Sequence, residues 1–189
     1  MSTHNPNVLP DDLPAPVDDG AADHLTGSPV PVVPLRSTAG GTVDIAALMG
    51  RTVVYAYPRT GQPGVDPLVG DWDAIPGARG CTPESCGFRD HHAELAAQGA
   101  VVFGLSTQDT AYQREAVDRL RLPFALLSDE DLVLTGALRL PTFDAAGVTL
   151  LCRLTMVLRD GVVEHVFYPV FPPDSHAAEV LDLLRAHPG

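Results

Sequence analysis

The sequence predicts an α/β fold, a central mixed β-sheet flanked by helices on both faces. Three observations predict it. Apolar, β-branched runs alternate with amphipathic stretches from Pro31 onward. Their order reads βαβαβα and then ββα. Arg159-Asp160-Gly161 separates two apolar runs, and an Asp-Gly turn there marks a hairpin. Taken in order, residues 51–57 are a β-branched and aromatic strand stopped by Pro58. Residues 59–80 are rich in Gly and Pro and read as loop. Residues 83–98 read as a helix closed by Gly99, and 100–105 as a buried strand. Residues 109–122 form an amphipathic helix with Asp109 as cap. A short strand at 124–127 and a helix at 129–140 follow. The hairpin strands are 153–158 and 162–167, and a helix over 174–186 closes the chain.

That order is the arrangement of a thioredoxin-like domain, although order and spacing alone do not separate it from other α/β sandwiches. The 189 residues suit one domain with a tail. Residues 1–29 are rich in Pro and Asp and read as an extended or disordered N-terminal arm, packing on its own domain or on a neighbour's. Residues 30–189 are the domain. The net charge of −12 makes nucleic acid and anionic membranes poor partners. Every basic residue is Arg, so Schiff-base chemistry, a Walker-type lysine and pyridoxal attachment are excluded. No signal peptide or bilayer-spanning run is expected, which points to the cytoplasm. In that reducing compartment a close cysteine pair is redox-active or metal-binding rather than a structural bridge. The oligomeric state is left open.

The informative segment is Gly80-Cys81-Thr82-Pro83-Glu84-Ser85-Cys86-Gly87-Phe88-Arg89-Asp90. It lies where a loop leaving a central strand enters a helix, a common ligand site in open α/β sheets. Free N–H groups at a helix start favour the thiolate, which is the reactive form of Cys. Thr82 is the expected cap, with Pro83 at the first helical position. Were both cysteines helical, ~140° around the axis and ~7.5 Å of rise would separate them. Their Cα atoms would then lie roughly 8–9 Å apart, past the disulfide limit of about 7 Å. The pair bonds only if the first turn unwinds. The bland alternative is two buried, inert thiols. His91 and His92 follow, but the spacing is not that of a zinc site and they read as a solvated helix face. Neither metal nor organic cofactor is expected.

At these residues the chain resembles the peroxiredoxins, in particular the Q type related to bacterioferritin-comigratory protein. The family pattern Gly-Cys-Thr-x-Glu-x-Cys-Gly-Phe-Arg-Asp matches residues 80–90 almost residue for residue. Tyr57-Pro58 matches the end of the preceding strand, Gly104-Leu105-Ser106 a later strand end, and Arg153-Leu154-Thr155 the family's Arg-x-Thr segment. The resemblance implies an atypical 2-Cys thiol peroxidase. Cys81 would attack a hydroperoxide and become a sulfenic acid, and Cys86 would resolve it as an intramolecular disulfide. Arg153 would hold the thiolate and the peroxide oxygens. A thioredoxin-like reductant would close the cycle. Pro58, Thr60 and Glu84 would surround the substrate, with Glu84 either pairing with Arg153 or Arg89 or capping the helix from solvent.

One departure stands out. The family has a threonine three residues before the first cysteine, and here that place holds Ala78. Instead, 22 residues separate Pro58 from Cys81, an insertion at about 61–80. Either Thr60 supplies the missing hydroxyl, which is the preferred reading, or backbone N–H groups act alone. Trp72 in the insertion is expected to wall the pocket. Cys152 is expected in the core, inert or a minor resolving thiol. Two other readings stay open: a dithiol carrier or sensor that does not turn over peroxide, and a non-catalytic interaction module.

Overall fold

The computed structural model describes residues 5–188; residues 1–4, where a leader would begin, and Gly189 lie outside them. In chain order the elements are β1 (Leu35–Ser37), β2 (Thr42–Val43), β3 (Arg51–Ala56), α1 (Cys81–Asp90), α2 (His92–Ala97), β4 (Ala100–Ser106), α3 (Thr110–Leu120) and β5 (Leu126–Ser128). There follow α4 (Val133–Leu138), β6 (Thr142–Ala145), β7 (Val148–Leu151), β8 (Leu154–Arg159), β9 (Val162–Phe167) and α5 (His176–Ala186). Seven strands form one mixed sheet in the order β2-β1-β5-β4-β3-β8-β9, and β6 pairs with β7 apart from it. β3 runs parallel to β4 and antiparallel to β8.

The two-residue period of β3 sorts its side chains onto two cores. Val53, Tyr55 and Tyr57 face one side with Phe88, Leu95, Ala116, Val180 and Leu184 from α1, α2, α3 and α5. Val54 and Ala56 face the other with Leu134 and Leu138 of α4. One short helix cannot cover that second face. Ala22, Leu25, Val30, Val33 and Ile45 complete it. Leu25 is fully buried, worth about 2 kcal/mol. Gly27 N–H donates to Val163 O at 2.8 Å, so packing begins inside the segment read as an arm.

Three local expectations change. The helix expected over 83–98 is two helices meeting at His91 (φ −96°, ψ 6°), with His91 N–H to Gly87 O and Leu95 N–H to His91 O bridging the kink. The helix expected over 129–140 starts only at Val133, because Asp129 caps it through Leu134 N–H and Thr135 N–H. The hairpins β1–β2 and β6–β7 were not anticipated; their strands of two to four residues are too short for a readable period.

His176 sits fully buried at the start of α5, between the rings of Phe88 and Phe167. Its Nε2 bonds Thr155 Oγ1 at 2.9 Å. Burial pushes its pKa from 6.5 down to about 4, against the pull of Glu179. The unfolded chain binds that proton first, so the folded form loses stability as pH falls from 6.5 towards 4. Chemical denaturation at pH 7 and pH 4.5 should show wild type losing more stability than His176→Gln, by up to about 3 kcal/mol.

Candidate active site

Cys81 opens α1, and the residue that starts the helix is Gly80 rather than Thr82. Gly80 takes a left-handed conformation (φ 106°, ψ 12°) that turns the chain into the helix two residues early. A Cβ there would lie 2.4 Å from Pro173 Cγ. Pro83 therefore falls third in the helix, still in the first turn, where a missing N–H is tolerated. Thr82 Oγ1 is buried with no hydrogen-bond partner.

Arg153 directly precedes β8. The register pairing Ala56 with Leu154 sets residue 153 beside the end of β3. Its guanidinium is buried. Nη2 donates to Cys81 Sγ at 3.1 Å and to the carbonyls of Gly77, Ala78 and Arg79 at 3.2, 3.4 and 3.1 Å. Nη1 donates to Glu84 Oε2. Of the two partners the sequence offered Glu84, the structure selects Arg153; Arg89 bonds Asp90 and Leu120 O instead. A planar fork suits this work because it serves several acceptors at once.

The electrostatics pull in opposite directions. Burial pushes the Cys81 thiol above its ordinary value; Arg153 and the Arg59 N–H, 3.4 Å from the sulfur, draw it down, while the Glu84 carboxylate adds to the push. The acidified thiol expected at a helix start thus meets desolvation as the stronger influence. Burial also pushes Glu84 up to about 7, against Arg153. When Glu84 takes a proton, Arg153 is left facing the sulfur alone.

Cys81 lines a cavity with about 30 Å³ of free space, shared with Arg59, Thr60, Thr82, Trp72 and Tyr112. That holds little more than one or two waters. Arg153 and Glu84 are not in its wall; Arg153 meets the sulfur from behind, beside Cys152 and Tyr168. Pro58 is buried but also outside the cavity wall, and by ending β3 it sets the Arg59 N–H. Thr60 does line it, with its N–H and hydroxyl both donated to Gln108 Oε1 at 3.0 and 3.2 Å.

A family model described as redoxin matches residues 25–181. The chain belongs to the redoxin family. Within it the chain is a Q-type peroxiredoxin. It is 35% identical to chloroplastic peroxiredoxin Q of Oryza sativa subsp. japonica over 85% of this chain and 66% of that one. It is 33% identical to chloroplastic peroxiredoxin Q of Sedum lineare, over 85% of this chain and 77% of that one. The crystal structure of peroxidoxin BcpB from Mycobacterium tuberculosis superposes with a TM-score of 0.71 at 27% identity, covering 88% of this chain and all of that one. The chain thus spans about two thirds of the length of the rice relative.

In this redoxin both cysteines lie in α1, with Cys86 half-buried and its thiol pushed up by burial. All three cysteines are free. Cys152 is half-buried, its thiol pushed to about 11 by burial. His91 bonds Glu94, and His92 packs its ring 5.9 Å from Phe124. The insertion does wall the cavity with Trp72, as expected, and it is anchored on the unanticipated hairpin, Trp72 clustering with Ala145 and Leu150. Sequence reading missed Gln108 and Arg79, and it took Thr82 for a helix cap rather than a cavity residue. Gln108 offered one signal, its place just past a buried strand end, whereas Arg79 offered none.

Because burial holds the thiol up, the thiolate fraction of Cys81 rises with pH through the alkaline range. In a Cys86→Ser, Cys152→Ser background, thiolate absorbance at 240 nm should titrate at higher pH for Arg153→Gln than for Arg153. Loss of a neighbouring cation predicts a displacement of about one to three pH units.

Proposed function

We propose that this chain is a thiol-dependent peroxidase that reduces hydroperoxides at Cys81 and stores the oxidising equivalent as a Cys81–Cys86 disulfide. The observation that carries the reading is a guanidinium 3.1 Å from a helix-opening sulfur that lines a small cavity. In the first step the Cys81 thiolate attacks one peroxide oxygen and the O–O bond breaks. The sulfur is oxidised to a sulfenic acid, and the departing oxygen takes a proton and leaves as water or an alcohol. Arg153 and the Arg59 N–H stabilise the thiolate. Thr60 has given its hydroxyl proton to Gln108, so its oxygen serves as an acceptor for the peroxide O–H. Thr82 brings a hydroxyl with no other partner.

In the second step the Cys86 thiol displaces hydroxide from the sulfenic sulfur, which leaves as water, and the S–S bond forms. Both residues are helical, five positions apart, so the first turns of α1 must unwind for this step. A dithiol reductant of the thioredoxin type then exchanges with the disulfide and restores both thiols. We place this cycle in the cytoplasm, whose thiol pool keeps such a pair reduced.

Mass spectrometry after one equivalent of hydrogen peroxide tests the cycle. Wild type should lose about 2 Da by forming the disulfide, and Cys86→Ser should gain about 16 Da as the sulfenic acid. Cys81→Ser should show neither change and should lose at least a thousandfold in peroxide consumption coupled to thioredoxin. Wild-type consumption in Cys81→Ser would reject the proposal, and a Cys81 no faster with peroxide than free cysteine would favour a dithiol carrier instead.

A further inference from the structure

We propose that the N-terminal residues 5–10, latched by Arg79, form a roof that separates the Cys81 cavity from a wider groove and excludes bulky hydroperoxides. The inference rests on the peroxidase reading and extends it to substrate size. The redoxin family model matches residues 25–181, so this roof lies outside the matched span.

The contacts are specific. Pro6 lines the cavity together with Cys81. Arg79, two positions before Cys81, is buried. Its Nη2 donates to Asn5 O at 2.6 Å and Val8 O at 2.9 Å, and its Nη1 to Asp73 Oδ1 at 3.1 Å. One planar cation therefore ties the arm, the insertion and the loop entering α1. Leu9 packs against the same loop, its Cδ1 3.0 Å from where a Cβ on Gly80 would stand.

The spaces on either side differ greatly in size. The Cys81 cavity has about 30 Å³, whereas the groove lined by Asn5, Val8, Pro10, Pro67, Trp72 and Arg79 has about 650 Å³. Pro67, Trp72 and Arg79 belong to both walls. Hydrogen peroxide, scarcely larger than water, fits the first space. The hydrocarbon of an organic hydroperoxide does not, and it gains room where the two spaces merge. Arg79 is thus a positioning residue for specificity, acting through the arm it holds.

Two full-length variants test the roof by separate routes. Arg79→Gln removes the latch, and Leu9→Asp places a carboxylate in the apolar contact with the loop. The readout is the ratio of kcat/KM for cumene hydroperoxide to that for hydrogen peroxide, which a simple loss of folded protein leaves unchanged. The ratio should rise about tenfold in Arg79→Gln and severalfold in Leu9→Asp. An unchanged or lower ratio in the folded variants overturns the roof. A second readout needs no peroxide: the rate at which N-ethylmaleimide alkylates Cys81 in the Cys86→Ser, Cys152→Ser background. Both variants should speed it about tenfold, and equal rates overturn the proposal. If wild type consumes no peroxide, the peroxidase reading fails while the alkylation rates still decide the roof.

Discussion

A single buried cation organises the catalytic end of this molecule. Arg153 has left water, and its charge is tolerable because both Nη atoms meet acceptors, although its buried Nε has none. Three consecutive carbonyls, a sulfur and a carboxylate are those acceptors. The loop of residues 77–79 is therefore held by the same group that favours the thiolate. Geometry and electrostatics at Cys81 cannot be altered independently. The sheet makes this possible, since the β3–β8 register delivers the arginine to the end of the strand that precedes the loop.

The helix start adds a second constraint. Cys81 is held folded by Gly80, Arg153 and Arg59, yet the bond proposed between it and Cys86 requires that fold to open. In the proposed cycle the site works between two shapes, one that reacts with peroxide and one that closes the disulfide. Restraints on the loop, including Arg79 and the arm it holds, act on the balance between them.

Much of this could be read before any coordinates. β3, β4, α3 and the β8–β9 hairpin announce themselves through β-branched runs, a capping Asp and an Asp-Gly turn, all local signals. The cysteine pair, Glu84 and Arg153 were legible because their chemistry is written in a compact segment or in residue type. What stayed hidden was long-range or small. Gln108 meets Thr60 across 48 positions and Arg79 meets Asn5 across 74, and no period in the chain encodes such meetings. The expected Thr82 cap gave way to Gly80, a point that Pro173, far along the chain, crowds against any side chain. The thiol's upward shift was unreadable for a related reason, as burial is a property of the whole fold.

Trp72 carries a consequence of its own. It is the sole tryptophan of the chain, it is nearly buried, and it stands in the wall shared by the Cys81 cavity and the neighbouring groove. The indole emission of the whole protein therefore originates in the wall of the cavity that the Cys81 sulfur also lines. Rearrangement at that spot becomes visible as a change of light from the unlabelled protein, with no dye attached.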